Sequence, residues 1–116
     1  MVDAIVHLEI PVTKIGAAIE FYSKVFGWKV YERQGFTVFE TGSGSVNGSF
    51  KRVRRKPREG ISFYVKVESI EEKLRDVARY GGVKTSDVVE LPGIGLQVSI
   101  ADPSGNRLYL FTPVKR

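Results

Sequence analysis

Two stretches of the chain repeat one pattern of apolar and polar positions. AIVHLEI (4–10) alternates in the manner of a half-buried strand. Residues 13–26 then place Ile15, Ala18, Ile19, Tyr22, Val25 and Phe26 at helical spacing, with Gly27 as the stop. Three short strand-like runs follow, WKVYER, FTVFE and SVNGSFK, separated by Gln34-Gly35 and by Thr41-Gly42-Ser43-Gly44. After a basic stretch the order returns. ISFYVKV (61–67) alternates, and Ser69-Ile70-Glu71-Glu72 is a capping box. Ile70, Leu74, Val77 and Ala78 line one helical face, Glu71 and Arg75 form an i,i+4 pair, and Gly81-Gly82 ends the helix. VKTSDVVE, LQVSIA and NRLYLF complete the second copy as three strands, with turns at 91–95 and 102–105. The pattern predicts one α+β domain over residues 1–116, made of two βαβββ modules at about 4–51 and 61–113 joined by a basic linker at 52–60. Antiparallel sheets with the helices on one face are expected.

The alternation also separates two strand faces. Val6, Leu8 and Ile10 oppose Ile5, His7 and Glu9; Ile61, Phe63, Val65 and Val67 oppose Ser62, Tyr64 and Lys66; Leu108 and Leu110 oppose Arg107, Tyr109 and Phe111. The aliphatic face is expected to pack on the helices. The other face mixes polar groups with Phe50, Tyr64, Tyr109 and Phe111, too large an aromatic load to leave in water, and so predicts a cleft that holds a small molecule.

Composition narrows the chemistry. The chain has no cysteine, which excludes disulfides, thiolate metal sites and cysteine nucleophiles. The N-terminal apolar run carries charges and no cleavage pattern, and no stretch reaches membrane-spanning length, so a soluble, cytoplasmic protein without membrane contact is expected. The net charge of +5 resides in residues 51–60, KRVRRKPREG, whose six basic side chains and one acid sum to +5. That run lacks the interleaved aromatics or recognition helix that nucleic-acid binding uses, and reads as a solvated connection. Ser62, His7 and an acid do not read as a catalytic triad, because no nucleophile elbow or oxyanion-hole motif accompanies them.

HLEIPVTKIGAAIEFYSKVFGWKV, the central Asn47-Gly48, LPGIG and DPSGN before the last strand, in that order over residues 4–113, resemble the vicinal oxygen chelate superfamily, also described as glyoxalase/bleomycin resistance/dioxygenase proteins. Within it the pattern is most similar to small single-domain proteins related to lactoylglutathione lyase. The resemblance implies an open, incomplete barrel with the helices outside, and a homodimer. It also implies four metal-ligand positions, one each on the first and last strands of both modules, where a divalent ion acts as a Lewis acid on vicinal substrate oxygens. Those positions fall on His7, near Gly48, on Ser62 and on Tyr109. Only the imidazole is a competent ligand; neither Asn47 nor Ser49 substitutes near Gly48, and a phenol is a poor partner for a divalent ion at neutral pH. Glu9 and Glu40 are the acids that could migrate into a rearranged site.

The expected function is therefore that of a small-molecule-binding protein of this type with no metal and no cofactor, either a lyase- or isomerase-like enzyme or a sequestering module. Its ligand-binding residues are expected to be His7, Glu9, Phe50, Ser62, Tyr64, Tyr109 and Phe111. The alternatives are a metal-dependent lyase, isomerase or dioxygenase, and a drug-sequestering resistance protein, the latter disfavoured by the basic charge. Each candidate also has a structural reading: His7 as a hydrogen-bonded strand histidine, Glu9 as a paired carboxylate, the tyrosines as packing residues.

Overall fold

In a computed structural model the protein is described over residues 2–55 and 60–114. Residues 56–59 of the expected linker lie outside that range, while Arg52 belongs to a strand rather than to the linker. The elements run β1 (Ile5–Val12), α1 (Ile15–Phe26), β2 (Lys29–Arg33), β3 (Phe36–Glu40), β4 (Asn47–Arg52), β5 (Ser62–Lys66), α2 (Ile70–Arg79), β6 (Val83–Lys84), β7 (Val89–Leu91), β8 (Gly95–Ala101) and β9 (Arg107–Pro113). The chain divides into two compact units. The first holds Val6–Ser62; the second holds Phe63 onward together with the N-terminal residues up to Ile5.

In the first unit the strand order is β2-β3-β4-β1. The β2–β4 meander is antiparallel, whereas β4 lies parallel to β1, with His7 opposite Asn47 and Ile10 opposite Phe50. The expected all-antiparallel sheet is therefore mixed. The cause is topological: α1 and then two hairpin turns reverse the chain four times between β1 and β4, so the two run the same way. Gly27, at φ 74°, ends α1 in the left-handed region and donates its N–H to the Ser23 carbonyl. The core joins Ile10, Phe39 and Phe50 to Leu8, Ala18, Ile19, Tyr22, Trp28 and Val30. Trp28 stacks between Tyr22 and Phe39 at centroid distances of 4.8 and 4.7 Å. Each large side chain buried here contributes about 1.5–3 kcal/mol.

The second unit repeats the plan, with order β5-β9-β8-β6 and β7 also on β8. β5 and β9 are parallel for the same reason. The Ser69 hydroxyl caps α2 by accepting the Glu72 N–H at 3.2 Å. Val67, Ile70, Val98, Ile100 and Leu110 form the core, flanked by Val65, Leu74, Val77 and Leu108. The N-terminal residues are tied to this unit by the Lys66 N–H on the Ala4 carbonyl and by the Asp3–Lys73 ion pair at 2.6 Å.

VKTSDVVE, expected as one strand, is two. Ser86 interrupts it, because its Oγ accepts the Ser99 N–H at 2.9 Å, while Thr85 still donates its own N–H to the Ser99 carbonyl at 2.9 Å and sets Oγ1 2.7 Å from Ser99 Oγ. A side-chain oxygen thus takes a hydrogen bond that a strand backbone would otherwise make.

Candidate functional site

The polar face of the first unit is built by the parallel pairing of β1 with β4. Its register sets Glu9 opposite Ser49 and His7 opposite Asn47, all on the side away from the α1 core. Ser49 is 7 % exposed, and its Oγ lies 2.9 Å from His7 Nε2. The ring is half-buried, and loss of hydration holds its pKa below the ordinary histidine value, so the imidazole is neutral at neutral pH. A neutral ring can take the Ser49 hydroxyl proton on Nε2 or donate to that oxygen, according to its tautomer. Glu9 is half-buried on the same strand face, two residues along.

Next to these residues, Asn47 Oδ1 accepts the Thr41 N–H at 3.0 Å, and Thr41 Oγ1 donates to the Val46 carbonyl at 2.7 Å. These bonds fix the 41–46 loop. It walls an open groove of about 520 Å³ lined otherwise by Gly27, Lys29 and Glu40. The Glu40 carboxylate accepts the Tyr31 hydroxyl at 3.0 Å, a bond that raises the pKa of that phenol.

Phe50 does not belong to this face. It pairs in register with Ile10, is 5 % exposed, and packs against Tyr22 and Phe39 in the core. Gly48 is on the core side as well. A Cβ added there would lie 2.1 Å from the Leu8 carbonyl oxygen and 2.5 Å from Phe39 Cζ, so only glycine lets β1 and β3 close on β4 at this point. The polar positions beside the expected Gly48 are Asn47 and Ser49, of which Ser49 reaches His7. The alternation in SVNGSFK shows the facing, since Gly48 and Phe50 share one strand face and Asn47 and Ser49 the other.

In the second unit the parallel register sets Tyr64 opposite Tyr109. Their rings stack with centroids 4.6 Å apart and planes 13° from parallel. Phe111 stands two residues along β9 from Tyr109, half-buried and opposite Gln97. The turn that delivers β9 is held by Asp102, whose carboxylate accepts the Ser104 and Asn106 N–H groups and the Asn106 side-chain amide, each at 2.9 Å. The bonds from Asn106 foremost hold the Asp102 pKa below its ordinary value. Ser62, half-buried and the last residue of the first unit, opens β5. Among the described residues no group of three His, Asp or Glu side chains is placed to hold a metal ion, and no helix is long and apolar enough to cross a membrane.

A protein of Didymella fabae described as glyoxylase-like domain-containing is 31 % identical over 93 residues, covering 72 % of this chain and 73 % of its own length. Among solved structures, a glyoxalase/bleomycin resistance protein/dioxygenase superfamily member from Vibrio splendidus 12B01 superposes with TM-score 0.68 at 21 % identity, over 96 % of this chain and 99 % of its own. Methylmalonyl-CoA epimerase from Mycobacterium tuberculosis does so with TM-score 0.74 at 14 % identity, over 96 % and 88 %. These likenesses show a common α+β fold. The superfamily's model matches residues 4–110, and the chain belongs to the Glyoxalase/Bleomycin resistance protein/Dioxygenase superfamily.

Proposed function

We propose that this chain is a small-molecule-binding member of the superfamily that works without a divalent metal. The observation that carries the reading is the donor set. At the four positions where the resemblance places ligands stand one imidazole, already bonded to a serine hydroxyl, Gly48 with Asn47 and Ser49 beside it, the Ser62 hydroxyl, and a phenol stacked on Tyr64. Divalent ions of this type take three or four imidazole, carboxylate or thiolate donors, and neutral hydroxyls are poor replacements. The donor set does not fit the metal.

Ligand contacts are assigned to each unit separately. In the first, His7, Glu9 and Ser49 offer hydrogen bonds from a half-buried strand face. In the second, the stacked pair of Tyr64 and Tyr109 offers aromatic rings with two hydroxyls, and Phe111 stands two residues along β9, a set suited to a planar or unsaturated group. Ser62, which belongs to the first unit, adds a hydroxyl at the start of β5. If a lyase- or isomerase-like step accompanies binding, His7 is the group to accept the proton, since its neutral ring is competent as a base.

We also propose that the protein is a homodimer. α1 leaves Phe21, Val25 and Phe26 more than half exposed, an apolar load that a second copy of the chain would cover.

The binding proposal is tested by thermal-shift screening of small aromatic carboxylic acids and acyl thioesters, with and without chelator. At least one compound is expected to raise Tm equally in both conditions, and to lose that effect in His7→Ala or Tyr109→Ala. Stabilisation that appears only on adding Zn, Ni, Co or Mn would overturn it.

A further inference from the structure

The two helices occupy equivalent places in the repeat yet differ on their outer faces. α2 presents Glu71, Glu72, Arg75, Asp76 and Arg79, an ordinary solvated surface. α1 has no fully buried residue, and it exposes Phe21, Val25 and Phe26 at 53, 57 and 58 %. Phe21 and Phe26 touch edge to face, with centroids 6.1 Å apart, so two of these side chains form one patch. Since α2 fulfils the same structural role with a charged exterior, the fold does not require this apolar face.

The distribution of residues along α1 is self-complementary under a two-fold rotation. Its N-terminal half exposes the small Gly16 and Ala17, with open space where a Gly16 Cβ would stand; its C-terminal half exposes the large Phe21, Val25 and Phe26. Between them are one acid and one base, Glu20 and Lys24, both exposed. Laid antiparallel on a copy of itself and centred at Phe21, α1 sets Val25 over Ala17, with Phe21 against Phe21, since residues 17, 21 and 25 share one helix face. The same register brings Glu20 of one copy beside Lys24 of the other. Large meets small and acid meets base in a single alignment, which is what an isologous contact demands.

We propose that the outer face of α1 is the centre of the surface on which a second copy of this chain docks, the two α1 helices crossing antiparallel about a two-fold axis at Phe21. This rests on the dimer reading above and assigns its interface. The small Ala17 leaves room for Val25 of the other copy on either side of the Phe21 crossing. A helix of 12 residues is only about 18 Å long, so α1 supplies the apolar centre of the contact and its surroundings the rim.

Light scattering on the full chain at micromolar concentration reads the dimer, and the variants read the interface. The mass is expected at twice 13.0 kDa. Phe21→Glu/Val25→Glu is expected to halve it while circular dichroism stays unchanged. Lys24→Glu is expected to weaken association at least tenfold, and Glu20→Lys/Lys24→Glu to restore it. Because the chain lacks cysteine, Phe21→Cys gives a probe that needs no unfolding: mild oxidation is expected to yield a disulfide-linked dimer, and Arg75→Cys on α2 to yield none. A dimer that survives Phe21→Glu/Val25→Glu, with no cross-link at position 21, overturns the α1 assignment and leaves the dimer standing. A monomeric unmodified chain overturns both.

Discussion

Ser49 Oγ lies 2.9 Å from His7 Nε2, joining β4 to β1 through side chains where the two strands already run parallel. Because burial holds the His7 pKa below the ordinary 6.5, protonating it costs more in the folded protein than in the unfolded chain. Above that ordinary value both states carry a neutral ring and His7 adds no pH dependence. As pH falls below it the unfolded chain takes up the proton first, and stability declines until the folded ring also protonates. Urea unfolding between pH 5 and 8 should show this loss, and His7→Gln should flatten it. Ser49→Ala, which leaves a buried ring nitrogen without its hydroxyl partner, should cost about 1–2 kcal/mol.

Gly48 should be among the least tolerant positions of the first unit. An alanine Cβ would meet the Leu8 carbonyl at 2.1 Å and the ring of Phe39, itself 1 % exposed. Neither neighbour can withdraw without breaking the sheet or the core, so Gly48→Ala should destabilise by about 3 kcal/mol or more. Gly44→Ala, where nothing lies within 4 Å but φ is 77°, should cost only the backbone strain, about 1–2 kcal/mol. Chemical denaturation of the two variants side by side checks the ranking.

Periodicity carried most of the fold. α1, α2 and its serine cap, and the repeated order of elements are all visible in the spacing of Ile15 to Phe26, in Ser69-Ile70-Glu71-Glu72 and in the glycine stops. The break between β6 and β7 is hidden because Thr85 and Ser86 suit a strand locally, and only the bond of the Ser86 hydroxyl to Ser99, 13 residues away, ends it. The site was read less evenly. Strand alternation already puts Phe50 with Ile10 and the core, whereas aromatic bulk suggested a cleft. Alternation shows which face Ser49 shares with Asn47, but its partnership with His7 is not local, because it arises from a parallel register that spans 42 residues.

Tyr64 and Tyr109 should be energetically coupled. Stacked aromatic pairs contribute about 0.5–1.5 kcal/mol beyond the area they bury, and a double-mutant cycle through Tyr64→Leu and Tyr109→Leu should return a coupling in that range. A coupling within error of zero would mean that the two rings are neighbours without mutual preference.

The exposed arginines of the basic stretch should matter little to stability. Arg52, Arg54 and Arg55 are all exposed, and replacing the three with glutamine should change stability by no more than about 0.5 kcal/mol. Filter binding to single- and double-stranded DNA and to RNA should show weak association, similar in the unmodified and the triple-variant protein. A tight, salt-sensitive affinity that the substitutions abolish would give this stretch a nucleic-acid role.

The metal-free reading is tested most directly by elemental analysis of the unmodified protein, purified without chelator and then loaded with Zn, Ni, Co and Mn in turn. One imidazole among hydroxyls and a phenol should retain less than a tenth of an equivalent of any ion after gel filtration, and EDTA should leave Tm unchanged. About one equivalent of tightly held metal, lost in His7→Ala together with a fall in Tm, would contradict the account and make this chain a metal-dependent member of its superfamily.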